Sequence, residues 1–134
     1  MDRIFYKKIL VGIRIRKLAK GSVPITDEKE PLQLVGLRHL KGLHLKPHFH
    51  APKKRVTHRL QEAFVVREGR VKIDLYGSLD KEGRRVSRKK FKSIIIKKGE
   101  VFLLFNGGYG IHILEDAELF EFKNGPFLED KVLI

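Results

Sequence analysis

Alternation of apolar and polar residues with a period of two is the feature that most constrains how this chain folds. Residues 11–16 run Val-Gly-Ile-Arg-Ile-Arg, and residues 71–75 run Val-Lys-Ile-Asp-Leu. Side chains two apart on a strand point to the same face, so each stretch predicts a half-buried β-strand. Eight or more short segments of this kind, with turn residues between them and almost no helical periodicity, predict an all-β sandwich or barrel.

The expected strands follow from the same pattern. They are 11–16, 43–50, Leu60–Arg67, Arg70–Tyr76, 94–96, Val101–Phe105, Gly110–Leu114 and Leu119–Lys123. The pair Glu68-Gly69 predicts a hairpin turn between two of these strands. Ser78–Lys90 is polar and basic and predicts an exposed loop, and residues 51–59 predict a protruding basic hairpin.

Length and composition predict one domain spanning residues 1–134, with N-terminal strands and a loop in 1–40 and the core in 41–134. No apolar run is long enough for a membrane helix, and charged residues interrupt each apolar patch of the N-terminus, which predicts no secretory signal. The expected compartment is therefore the cytoplasm. The chain has no cysteine, which excludes disulfides and thiolate metal sites.

The charge is strongly positive, with 29 Lys and Arg against 16 Asp and Glu, a net charge of +13. Such a field attracts polyanions, so nucleic acid is a partner to consider. The basic residues are nevertheless spread along the chain, and no recognition helix, zinc finger or aromatic RNA-binding motif accompanies them. We therefore regard nucleic acid as the less favoured partner, since a small anionic ligand uses a basic rim equally well.

Histidines and one carboxylate predict a polar pocket. His48 and His50 lie two apart on an expected strand and point to one face, with His44 further along the same face. Glu62 shares a core-facing stripe with Phe64 and Val66. A carboxylate on such a stripe is costly unless it binds a cation or accepts hydrogen bonds. The pattern predicts a pocket built around His48, His50 and Glu62.

The order and spacing of Gly42, His48, His50, Glu62 and Gly69 resemble the first motif of the cupin superfamily, with a longer gap of residues 51–61 before the glutamate. The stretch 99–110 resembles the second cupin motif. Tyr109 stands where metal-binding cupins carry their last histidine, and His112 lies on the opposite face of that strand. The resemblance implies a small single-domain cupin-like β-barrel, that is, a double-stranded β-helix or jelly roll.

The resemblance also implies a function. It implies that a small polar, anionic metabolite of the sugar or nucleotide-sugar class binds at the barrel mouth, and that His48, His50 and Glu62 hold a divalent transition metal (iron, manganese, nickel or zinc). The alternative is a metal-free sugar isomerase or epimerase, in which His48 and His50 act as acid and base and Tyr109 donates to a developing enolate. A non-catalytic binding protein remains open, and so does whether the chain is an enzyme.

The resemblance further implies a homodimer that forms through sheet edges. The N-terminal strand in Ile9–Leu18 is the edge that we expect to pair between copies. Two other histidines, His39 and His58, are expected to be solvated surface residues.

Overall fold

The computed structural model describes all 134 residues and contains ten β-strands and no helix. The all-β prediction is therefore confirmed. The strands are β1 (Asp2–Tyr6), β2 (Ile9–Ile15), β3 (Gly21–Pro24), β4 (Val35–Arg38), β5 (Glu62–Glu68), β6 (Arg70–Ser78), β7 (Val86–Lys97), β8 (Val101–Leu104), β9 (Gly108–Ile113) and β10 (Glu118–Lys123).

Two antiparallel sheets face each other across the main core. One has five strands in the order β1-β2-β8-β5-β10, and the other has three in the order β7-β6-β9. Their facing side chains are apolar, as the period-two pattern predicts. The fully or almost fully buried members are Val11, Phe64, Val66 and Phe102 from the first sheet and Val71, Ile73, Leu75 and Ile96 from the second. The two sheets do not close into a barrel.

The five-stranded sheet is also covered on part of its outer face. Ile13, Ala63 and Leu103 are buried there against a second apolar cluster, which includes Ile25 and Leu34 beside the β3-β4 hairpin. Burial on both faces explains the continuous apolar run of β8, which does not alternate. Residues 1–40 contain several strands, as expected, but the alternating pattern located only the one at 11–16 and gave no bounds for β1, β3 and β4.

The open side of the sandwich, as we call it below, lies where the free edge of β9 faces the free edge of β10. The opposite side is closed by contacts between β1 or β2 and β7. Tyr6 packs its ring 4.9 Å from that of Phe91, and Arg14 donates to the Ile95 carbonyl at 3.1 Å. No comparable strand seals the open side, so side chains that project between β9 and β10 lie near solvent.

The predicted hairpin at Glu68-Gly69 is wrong. β5 and β6 belong to different sheets, and Gly69 is the only residue between them. A two-residue hairpin loop would keep both strands in one sheet. Here Gly69 has a φ of 77°, and this left-handed conformation carries the chain directly from one sheet to the other.

The strand predicted at 43–50 and the basic hairpin predicted at 51–59 are absent. Residues 39–58, which we call the arm, have no regular secondary structure, and every one of them is exposed. A strand needs a partner for its backbone groups, and no other segment of the chain pairs with the arm. Residues 43–50 do alternate between apolar and polar side chains, but no strand of this chain pairs with them.

Two smaller expectations also need correction. The predicted loop Ser78–Lys90 is shorter, because β6 extends through Ser78 and β7 begins at Val86. The strand within Ile9–Leu18 is not an exposed edge: β2 lies between β1 and β8 and is hydrogen-bonded on both sides. A homodimer therefore cannot form by adding a strand to β2, and dimerisation itself stays a prediction.

Candidate functional site

Four polar side chains meet at the open side, and we call them the Glu62 cluster. Glu62 begins β5 and is only 8% exposed. The Lys123 Nζ lies 3.3 Å from Glu62 Oε1 and 3.3 Å from Glu121 Oε1. The Tyr109 hydroxyl donates to Glu121 Oε1 at 3.4 Å. One ammonium and one phenol thus face two carboxylates.

Strand register assembles this cluster. Glu62 pairs directly with Lys123, and Phe64 pairs with Glu121, where β5 runs beside β10. Directly opposite residues share a face, so all of these side chains point toward the three-stranded sheet. Tyr109 comes from β9 across the gap, with its ring edge-on to Phe64 at 4.9 Å between centroids. The cluster therefore bridges the two sheets where the sandwich is open.

Burial and neighbouring charges shift the pKa values within the cluster. Burial raises the pKa of Glu62 above its ordinary value, although the bonds to Lys123 and Tyr109 oppose this rise. Burial, with the two nearby carboxylates, raises the pKa of the Tyr109 hydroxyl strongly. Bonds to Glu121 and Glu62 raise the pKa of Lys123. Near neutral pH, Tyr109 and Lys123 are therefore donors, and the raised pKa of Glu62 makes it readier to take up a proton than an ordinary glutamate.

The arm holds His48 and His50 close to each other. Their rings are 5.2 Å apart in an edge-on arrangement, and His48 Nδ1 lies 3.1 Å from the Lys46 carbonyl oxygen. No hydrogen bond or ion pair joins either histidine to Glu62, whose polar partners are Lys123 and Tyr109. The predicted site residues are thus separated: His48 and His50 lie on the arm, and Glu62 lies on β5. His44 and His58 are also exposed on the arm, and the His39 ring lies 3.0 Å from Ser22 Oγ.

The residues as placed do not fit a divalent metal. The structure contains no group of three or more His, Asp or Glu side chains that could hold one. Where the carboxylates of Glu62 and Glu121 converge, the Lys123 ammonium already supplies the compensating positive charge. A metal at Glu62 would require Lys123 to withdraw and the two histidines to approach.

Sequence reasoning missed a second polar cluster, on the outer face of the three-stranded sheet. His112 Nε2 lies 2.8 Å from Asp74 Oδ2, and the Ser93 hydroxyl donates to the other carboxylate oxygen. Lys90 adds an ion pair at 3.5 Å. His112 therefore faces away from the Glu62 cluster, as its position opposite to Tyr109 predicts. Ser93 donates to the carboxylate and not to the imidazole, so these three residues do not form a nucleophilic triad.

The polar cluster of Asp74, Ser93, His112 and Lys90, which we call the Asp74 cluster, makes the stability of the fold depend on pH. The Ser93 hydrogen bond, aided by His112 and two lysines, lowers the pKa of Asp74 to about 2. A lowered native pKa stabilises the fold above the ordinary value of 3.8 and loses this contribution as pH falls toward 2. We expect Asp74→Asn to flatten the fall of the urea midpoint between pH 4 and pH 2. Glu129→Gln, which removes a carboxylate without an ion pair in the C-terminal tail, is the control, and an equal flattening there would contradict the assignment.

A buried polar network anchors the C-terminal end of the arm. Gln61 is fully buried; its backbone N–H donates to Asn124 Oδ1 at 2.8 Å, and its side chain accepts from the Leu32 N–H at 3.2 Å. Arg59 pairs with Glu30 at 2.7 Å. These bonds fix the chain just before Glu62, so the arm leaves the domain beside the end of β10. No sequence motif identifies this network.

A cavity of about 330 Å³ lies away from the Glu62 cluster. It is lined by Arg3, Leu10, Ile25, Thr26, Asp27, Glu30 and Phe105. Its polar lining consists of Arg3 on β1 and of Thr26, Asp27 and Glu30 in the segment that follows β3. None of the expected site residues lines this cavity.

No family model, no curated protein and no solved structure matches this chain. None of its segments forms a helix that could cross a membrane.

Proposed function

We propose that this protein binds a small polar metabolite of the sugar or nucleotide-sugar class at the Glu62 cluster. The observation that carries this proposal is the buried carboxylate of Glu62, held against Lys123 at an open edge of the sandwich. Burying such a pair is costly, and apolar residues of similar volume would serve the core at least as well. Carboxylates, an ammonium and a phenol together offer acceptors and donors for sugar hydroxyl groups.

The charges favour a ligand with two chemically different ends. With two carboxylates and one ammonium, the cluster carries a net negative charge and suits hydroxyl groups better than phosphates. The arm contains Lys53, Lys54 and Arg55 and no acidic residue, and these cations supply the positive charge that a phosphate group requires. A nucleoside-diphosphate sugar, with its sugar on the Glu62 cluster and its diphosphate on the arm, satisfies both surfaces.

The cupin-like character of the chain belongs to the same proposal. It is supported by two facing antiparallel sheets, by a carboxylate at the start of β5 and by Tyr109 opposite it on β9. A metal-free site is the form that we favour, because Lys123 occupies the position between the carboxylates. In that form Tyr109 and Glu62 exchange protons with bound hydroxyl groups, and His48 and His50 serve as acid and base if the arm closes on the ligand.

Calorimetric titration of the wild-type protein with uridine- and thymidine-diphosphate hexoses tests this function. We expect Glu62→Gln to weaken binding of the best ligand about tenfold, which corresponds to about 1.4 kcal/mol. Glu68→Gln is the matched control, because Glu68 lies on the same strand and pairs with Lys98 but is exposed. It should leave the affinity unchanged.

Two results would contradict the proposal in different ways. No binding to any of these ligands, combined with salt-dependent binding to a generic oligonucleotide that Glu62→Gln leaves intact, would favour the nucleic-acid alternative. Elemental analysis of the same untagged protein provides the second test. One equivalent of transition metal in the wild type, lost in a His48→Ala/Glu62→Ala variant, would replace the metal-free form by the metal-dependent one.

A further inference from the structure

The central part of the arm has the two-faced pattern of a strand. Leu43, Leu45 and Phe49 share one parity and are 56%, 53% and 86% exposed. His48 and His50 have the opposite parity, together with His44 and Lys46. An extended segment with these residues would present an apolar face and a histidine face. In this structure neither face is covered.

The free edge of β10 has the complementary two-faced pattern. Phe120 and Phe122 project from the outer face of the five-stranded sheet, and each is 53% exposed. Glu121 and Lys123 project from the inner face into the Glu62 cluster. A strand added along this edge with its apolar residues beside the phenylalanines would direct His48 and His50 toward Glu62.

Charge also favours this pairing. Residues 31–61 contain no Asp or Glu, and their basic residues are Arg38, Lys41, Lys46, Lys53, Lys54, Arg55 and Arg59. Residues 115–130 contain a single basic residue, Lys123, and their acidic residues are Glu115, Asp116, Glu118, Glu121, Glu129 and Asp130. The arm and the β10 region are therefore oppositely charged, which favours their association over that of two arms.

The exposed surface area favours another copy of this chain as the partner. The chain exposes 10276 Å², whereas a compact monomer of 15.6 kDa is expected to expose about 7,000 Å². The excess of about 3,000 Å² per chain, or about 6,000 Å² for two chains, is large enough for the interface of an extensive obligate homodimer. Both ends of the arm are held by the domain, through β4, His39 and the Gln61 network. Residues 40–56 are exposed, and their hydrogen bonds are all within the arm.

We propose that two copies of this chain exchange arms, so that residues 43–50 of each copy form an additional strand on the β10 edge of the other. Leu43, Leu45 and Phe49 then cover Phe120 and Phe122 of the second copy. His48 and His50 approach the second copy's Glu62, so that each binding site is built from two chains. The exchange of arms is independent of the ligand, whereas the role of the histidines rests on the proposed function.

Cysteine cross-linking tests the exchange directly, because the natural chain contains no cysteine. A Phe49→Cys chain and a size-tagged Phe122→Cys chain are mixed, unfolded and refolded together, and treated with a short bis-maleimide. We expect a cross-linked species that contains one tagged and one untagged chain. Lys89→Cys, on β7 at the opposite side of the sandwich, replaces Phe122→Cys in the control and should give none. Light scattering should give twice the 15.6 kDa chain mass.

Two outcomes would overturn the exchange. One is a monomeric mass at micromolar concentration, and the other is a dimer whose Phe49→Cys/Phe122→Cys double variant cross-links only within a chain.

A separate mixture, of His48→Ala/His50→Ala chains with Glu62→Ala chains, tests the composite site. If sites are shared, one of the two sites in each mixed dimer recovers sugar-nucleotide binding at the wild-type affinity. Because about half of the dimers in an equal mixture are mixed, about one quarter of all sites recover, whereas either variant alone shows only weakened binding. Cross-linking without this recovery would leave the exchange established and refute the composite site.

Discussion

A Gly69→Ala substitution is expected to destabilise the fold by about 3 kcal/mol, from left-handed strain and overpacking together. Gly69 adopts a φ of 77°, and a Cβ atom there would lie 2.1 Å from the Asp116 carbonyl oxygen and 2.9 Å from Ala117 Cα. Both obstacles are backbone atoms, which a rotamer change cannot move. The turn that carries the chain between sheets would have to open. Urea unfolding monitored by circular dichroism measures the loss.

Gly99→Ala is the matched control for this prediction. Gly99 also lies in a turn, with a φ of 80°, but no atom lies within 4 Å of a Cβ built there. It should lose only the conformational part, about 1 kcal/mol. Equal losses in the two variants would show that the close approach to Asp116 does not matter at Gly69.

The sequence predicts the strands of this fold better than it predicts their pairing. Local alternation predicts most strands well, because the face of a strand that enters the core must be apolar. It does not predict which strands pair. Glu68-Gly69 has the composition of a hairpin turn, yet β5 finds its partners in β8 and β10, which lie far along the chain. Pairing depends on contacts between distant segments, and a local pattern does not encode these.

Some residues of the candidate site can likewise be predicted from the local pattern, and others cannot. Glu62 was predictable, since a carboxylate on an apolar stripe has no structural purpose of its own. The parity of Tyr109 predicts an inward-facing side chain, and its ring does pack against Phe64 in the core. Lys123 was missed, because its position beside Glu62 follows from the register of β5 and β10. The strand at 43–50 was predicted from alternation alone, and the structure gives that segment no partner within its own chain. The exchange of arms would reconcile the pattern with this observation.

Lys123→Met is expected to destabilise the protein by about 2 kcal/mol at pH 8, because it leaves the Glu62 carboxylate buried without its cation. We place this loss below that of a fully buried pair, since the Lys123 side chain is 40% exposed. Methionine retains most of the side-chain volume, so packing should change little. Urea unfolding at fixed pH measures the loss.

The pH dependence of this variant distinguishes an electrostatic effect from a packing defect. Burial already raises the native pKa of Glu62, and Lys123 opposes that rise. Removing the lysine raises the pKa further, and a carboxylate with a raised native pKa destabilises the fold when it ionises. The loss should therefore be small near pH 4 and should grow as pH rises through the native pKa of Glu62. The double variant Glu62→Gln/Lys123→Met removes both charges. Its free energy of unfolding should be close to that of the wild type and should not show this rise of the loss with pH. A loss that is constant with pH, or that persists in the double variant, would mean that Lys123 acts through packing, and the buried ion pair would then no longer support a polar binding site at the open side.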